Sequence, residues 1–209
     1  MQDEKHITTY RQELRGRILE KAMSEFAAHG IKAVKMDDIA QMLGISKRTL
    51  YELFDNKEVL LFEGVKKFKA QKERESLRLA AESEDVMDVL LRSYRIKTEE
   101  FRQVNPLFFS DLSKYPSVLT FLDEDKQKSR RRNMAFLERG IKEGYFRSDV
   151  DYDLVLQMLE AMGDHIMRHQ LYRQYTIEHL FKNLMFVSLR GFCTKKGVDV
   201  LDKFMSENV

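Results

Sequence analysis

The chain has 209 residues, of which 43% are hydrophobic and 33% charged, so it is long enough for one domain or two small ones with a real core. Its formal net charge is only +2, which excludes any argument for a nucleic-acid partner from total charge and leaves the placement of charge to carry it. The lone Cys193 excludes an intramolecular disulfide, the start MQDEKHITTYRQELR lacks the apolar core of a secretory signal, and no apolar run is long enough to span a bilayer, so a cytoplasmic, membrane-free protein is expected.

Two prolines and nine glycines stand among abundant Leu, Glu, Lys, Arg, Ala and Met. No segment alternates apolar and polar residues in β-branched company. The expectation is an all-α chain. A first helix is predicted over 8–29, where Leu14, Ile18, Leu19, Ala22, Met23, Phe26 and Ala27 recur at three- and four-residue spacing. Gly30 then suits a left-handed C-terminal cap. Short helices over 37–43 and 47–53 are separated by Gly44, and a long helix follows over 57–81, with Ser46 and Asn56 placed as N-caps. Further helices are predicted over 84–104, 106–114, 117–143, 151–172, 176–195 and 198–205. Asn105-Pro106 reads as a cap followed by proline in the first helical position, and Tyr115-Pro116 separates two helices. Without a repeat or a low-complexity linker, the division expected is 1–62 and 63–209, joined by the long fourth helix.

The window from Met36 to Asp55 has the pattern of a helix-turn-helix. Ala40 is small where two short helices must approach, and Gly44 tolerates positive φ in the turn. Ile39, Leu43, Ile45, Leu50 and Leu53 supply the inward faces. Lys47, Arg48, Thr49 and Tyr51 are left on or near the outward side of the second helix, whose N-terminal residues enter the major groove in such motifs. Lys47 and Arg48 at one helix start, Lys57 at the next and Lys35 just before the previous one all oppose the helix dipole. Each alone reads as a solvated surface residue. Together, bordering one motif, they read as a surface relieved by phosphate.

The run ILEKAMSEFAAHGIKAVKMDDIAQMLGISKRTLYELFDNKEVLL resembles the DNA-binding domain of the TetR family of bacterial transcription regulators. The resemblance implies an N-terminal three-helix DNA-binding domain joined by a long helix to a larger helical regulatory and dimerisation domain. By family habit it implies a repressor that binds a palindromic double-stranded DNA operator as a homodimer and is released by a small apolar effector. It implies that Lys47, Arg48 and Thr49 read bases or nearby phosphates, that Tyr51 and Lys57 hold phosphates, and that Ser46 caps the recognition helix. Where many members carry two Thr/Ser residues before the second helix, this chain has Val34 and Lys35. Lys35 is a candidate to replace the lost phosphate contact through charge.

In the C-terminal two-thirds, two stripes are unusually apolar for surface helices: Leu154, Val155, Met158, Leu159 and Met162, then Leu180, Phe181, Leu184, Met185, Val187 and Ser188. With Gly163 and Gly191 permitting close approach, they suit a four-helix interface between two subunits; an intramolecular core is the plainer reading. Tyr94, Phe101, Phe108, Phe109, Leu112, Tyr115, Met158, Met162 and His165 are candidates for an apolar effector pocket, each otherwise an ordinary core residue. His165 and His169 share metal-ligand spacing, but no third ligand stands at motif distance and no metal or other cofactor is expected. Arg130, Arg131 and Arg132 read as a solvated face balancing Asp123, Glu124 and Asp125. No Walker loop, GxGxxG or GxSxG occurs, which argues against an enzyme. Two rivals stay open: a DNA-binding protein of this fold governed by a protein partner instead of a small effector, and a helical ligand carrier or enzyme that retains the motif.

Overall fold

The computed structural model describes residues 2–208, with side chains described for 9–207. Ten helical elements follow in order among the described residues: α1 (Gln2–His29), α2 (Met36–Met42), α3 (Lys47–Leu53), α4 (Lys57–Glu82), α5 (Val86–Arg102), α6 (Pro106–Leu112), α7 (Pro116–Lys142), α8 (Tyr152–Arg168), α9 (177–192) and α10 (Lys195–Asn208). The predicted start signals are used as read. Ser46 Oγ accepts the Thr49 N–H at 3.0 Å, Asn56 Oδ1 accepts the Val59 N–H at 3.0 Å, and Asn105 Oδ1 accepts the Leu107 N–H at 2.9 Å. No strand forms among the described residues, only an isolated bridge between Phe146 and Cys193.

Two predicted elements differ in their course, and α10, expected over 198–205, is longer, running Lys195–Asn208. The helix expected over 151–172 stops at Arg168, because Gln170 adopts φ +52° and a 3-10 turn, Leu171–Arg173, follows. No glycine marks that stop, so local sequence carried no signal for it. The helix expected over 176–195 is α9, built of an α-helical turn Ile177–Leu180, a π-helical segment Phe181–Phe186 and a further α-helical stretch Val187–Phe192.

The chain forms two compact units, 1–73 with 103–122 and 74–102 with 123–209. The unit that holds the helix-turn-helix is therefore larger than segment 1–62, taking in more of α4, all of α6 and the first turns of α7. Its core is built on Phe26, Ile18, Ile31, Ile39, Leu50, Phe54, Leu60 and Leu61, with Leu112 and Val118 added by α6 and α7. The second unit packs Val86, Met87, Tyr94, Leu137, Phe146, Phe186, Leu189, Phe192 and Leu201 together. Cys193 lies in that core, where burial pushes its thiol up to about 11, so it stays a neutral, unreactive SH. No helix among the described residues is long and apolar enough to cross a membrane.

Candidate functional site

The turn between α2 and α3 is fixed by two backbone hydrogen bonds that close the end of α2. Gly44 N–H donates to Gln41 O at 3.1 Å and Ile45 N–H to Ala40 O at 3.0 Å, with Gly44 at φ +65°. This is a Schellman closure. A Cβ at Gly44 would meet nothing within 4 Å, so the requirement is for the left-handed backbone and not for space. Ile39, Ala40 and Leu50 are fully buried between the helices, and Leu43, Ile45 and Leu53 pack at the margin. That burial turns Lys47, Arg48, Tyr51 and Glu52 outward, all exposed. Lys47 is ion-paired with Asp37 of α2, whose carboxylate holds the ammonium above its ordinary pKa. Arg48 Nε donates to Glu52 Oε1 at 2.8 Å, and its side chain is 89% exposed. The dipole conflict read in the sequence is thus answered by carboxylates, through exposed pairs that solvent screens and that another anion can displace. Tyr51 is exposed, and its hydroxyl has no hydrogen-bond partner among the described residues. Thr49 is half-buried with its hydroxyl 2.8 Å from Ser46 Oγ, so these two form the cap of α3. Lys35 stands exposed before α2. Its N–H donates to Asp38 Oδ2 at 3.1 Å, one half of a capping box, its own side chain having no acceptor to give the other.

What aims α3 is supplied by residues that the sequence reading did not single out. Arg15 of α1 donates from Nη1 to Leu53 O at 2.8 Å, at the carbonyl end of α3, with its guanidinium 4.4 Å from the Phe54 ring centre. Arg11, one turn earlier, reaches Glu52 O at 3.4 Å. Basic residues four apart on α1 were the available signal; their target lies about 40 residues ahead. Arg15→Ala should cost about 1–2 kcal/mol of stability, the loss of a charged hydrogen bond and a stacked cation. Urea unfolding would show it, and Arg15→Lys should recover only part, since one ammonium cannot both bond Leu53 O and stack flat.

Lys57, expected to hold a phosphate, has its ammonium on backbone carbonyls. Its ammonium donates to Ile31 O at 2.8 Å, Val34 O at 3.0 Å and Lys32 O at 3.4 Å, so all three N–H groups serve the turn between α1 and α2. Burial lowers its pKa. From the other side α6 grips the same turn. Asp111 accepts the Lys32 N–H at 2.8 Å and Lys114 Nζ at 2.9 Å, and Asn105 N–H donates to Ala27 O at 2.7 Å. Gly30, at φ +85°, lets α6 come close: a Cβ there would sit 2.9 Å from Leu107 Cβ.

Residues 18–63 match the family described as bacterial regulatory proteins, tetR family. The HTH-type transcriptional repressor KstR2 of Mycobacterium tuberculosis is 31% identical over 153 residues, covering 69% of this chain and 75% of the repressor. The chain belongs to the TetR family. An uncharacterised HTH-type transcriptional regulator of Bacillus subtilis, YdgC, is 27% identical over 176 residues, 74% of this chain and 79% of that protein. Among solved structures, the ketosteroid transcriptional regulator KstR2 of M. tuberculosis aligns with a TM-score of 0.55 at 25% identity, over 87% of this chain and 95% of that one. A Saccharomonospora viridis regulator in complex with choline shares the fold with a TM-score of 0.71 at 21% identity, over 88% and 100%. This TetR-family protein is a helix-turn-helix transcription regulator, as its relatives are, and not an enzyme.

The second unit of this TetR-family chain contains a cavity of about 620 Å³, walled by α4, α5, α7, α8 and α9. Of the nine residues proposed for an effector pocket, only Tyr94 lines it. Phe108, Leu112 and Tyr115 pack into the core of the first unit, and Phe109 stacks edge-on against Phe108. Phe101 and Met158 are 40% and 48% exposed, His165 is exposed, and Met162 is half-buried outside the wall. The wall includes Leu90, Phe136, Phe146, Leu156, Leu159, Phe181, Phe186, Leu189 and Phe192, with Ser76, Ser93, Lys97, Arg132, Asn133, Arg139 and Glu160 as further polar members beside Tyr94. Phe181 and Met185, assigned from sequence to an outer stripe, also line it. Leu159, from the other stripe, does so as well. Leu154 and Val187 do stay outside, at 61% and 62% exposure, and a Cβ at Gly163 or Gly191 would meet nothing. The His165 and His169 rings lie 4.3 Å apart, but no group of three or more metal-binding side chains occurs among the described residues.

Proposed function

We propose that this regulator is a repressor: a homodimer that lays two copies of α3 in successive major grooves of a palindromic operator and leaves when a small, mainly apolar molecule fills the cavity. DNA binding is assigned to 1–62, and effector binding with dimerisation to 63–209. The observation that carries the reading is the outward face of α3. Lys47 and Arg48 are held there only by exposed carboxylate pairs, on a helix whose inward face and both ends are fixed. Lys47 and Arg48 read base edges, Tyr51 and Lys35 take phosphates, and Ser46 with Thr49 keeps the helix start in shape. Repression is supported by the name given to KstR2, and a small effector by the choline complex of the S. viridis regulator. The exposed stripe of Leu154, Met158 and Val187, beside the open Gly163 and Gly191, supports dimerisation, since burying it removes apolar surface from water.

Release is a population shift. An effector that binds better to one packing of the second unit moves the equilibrium by its differential affinity. Selection of bound sequences from random duplex DNA at several salt concentrations tests the reading. A palindrome with half-sites about one helical turn apart, ~34 Å or a multiple, is expected. Recovery of sequences with no two-fold symmetry overturns the dimeric operator reading.

A further inference from the structure

The effector reading leaves open what the cavity recognises, and the inference rests on that reading. We propose that the hydroxyl of Tyr94 is the polar anchor that selects the effector, a compound of largely apolar surface that presents one hydrogen-bonding oxygen, keto or hydroxyl, to it. The Tyr94 ring is wedged by three others, with centroids 5.2 Å from Phe181, 4.9 Å from Phe186 and 5.6 Å from Phe204. The residue is only 7% exposed and forms part of the cavity wall. Three aromatic contacts leave the ring little freedom, so the position of its oxygen is set before any ligand arrives.

That oxygen has no hydrogen-bond partner among the described residues. A buried tyrosine ordinarily finds one, because an unpaired hydroxyl loses its water without replacement. The Tyr94 oxygen is nevertheless not sealed. Among the described residues, the fully enclosed side-chain oxygen that lacks a partner is Thr98 Oγ1, one turn further along α5 and outside the wall. Solvent can therefore satisfy Tyr94 while the cavity is empty. A pure hydrocarbon entering it would strip the hydroxyl and give nothing back. A ligand oxygen restores the bond, and the phenol serves a keto group as donor or a hydroxyl as donor or acceptor.

A matched pair of fluorescent probes, phenanthrene and 9-hydroxyphenanthrene, tests this by titration of the full chain. The wild type should bind the hydroxylated probe roughly tenfold or more tighter than the hydrocarbon. Tyr94→Phe keeps the ring and should abolish or invert that ratio. Thr98→Val removes a hydroxyl from the same helix but not from the wall, and should keep the wild-type ratio. Because the ratio compares two ligands on one variant, a general loss of stability cancels from it. If both probes bind and the ratio is the same in wild type and Tyr94→Phe, the anchor is overturned while the cavity stands as a binding site. If neither probe binds up to its solubility, the effector reading of the cavity falls, and the anchor with it.

Discussion

Lys57→Ala is expected to lower the unfolding free energy by about 1.5–3 kcal/mol and to leave the salt dependence of DNA binding unchanged. The three carbonyls on the Lys57 ammonium belong to Ile31, Lys32 and Val34, and Ile31 and Val34 are buried. Alanine would leave carbonyls in a half-buried turn with no donor. The lowered pKa of Lys57 has burial as its main cause, with Asp111 pulling the other way. The charge is kept there against that penalty because the turn needs its donors. Urea unfolding of the free protein and the slope of log Kd against log salt, measured on one operator, separate the two roles. A lysine that held a phosphate would leave stability alone and make the slope shallower by roughly 0.9. That outcome would return Lys57 to the DNA interface.

The contrast shows which parts of the site local sequence could specify. The helix-turn-helix was legible because its determinants close within twenty residues. Gly44 ends α2 by bonds to Gln41 and Ala40, Ser46 caps α3, and Ile39, Ala40 and Leu50 meet directly. Lys57 was not, because a cation at a helix start suits a phosphate or a set of carbonyls equally. The carbonyls that meet its ammonium lie 23–26 residues back in the chain. The pocket was harder still. Phe108, Leu112 and Tyr115 have the composition of a cavity wall, but α6 belongs to the first unit and takes them into that core. Nothing periodic in α6 announces which unit it joins. On α9 the apolar stripe is divided, since Phe181 and Met185, four residues apart, reach the cavity while Val187, most of half a turn away, stays outside.

Holding α3 at both ends matters for what its outward residues can discriminate. The cap at Ser46 and the Arg11 and Arg15 bonds to the carbonyls of Glu52 and Leu53 remove freedom that DNA would otherwise have to remove. Side chains on a fixed helix can then differ in affinity between base pairs instead of adapting to each.

Arg48→Ala is therefore expected to weaken binding to the selected operator by roughly 10- to 100-fold per half-site and to bind mismatched DNA almost as the wild type does. Arg48 lies on the outward face of α3 with its side chain 89% exposed, and its fork can engage a guanine edge with two hydrogen bonds. Its partner among the described residues, Glu52, sits four residues on along the same helix, where the pair is open to water. Exchanging that carboxylate for base acceptors asks for little desolvation beyond what the groove imposes on any side chain. Lys47 lacks the fork, so its replacement should cost affinity with less change in preference. In the proposed dimer each half-site carries one Arg48, and the effect appears twice on a palindrome but once on a site with a single intact half. Quantitative binding to the full palindrome, a one-sided variant and unrelated duplex of equal length measures all three terms. Equal losses on all three duplexes would make Arg48 a phosphate contact, and the sequence reading would then fall to Lys47 and Tyr51.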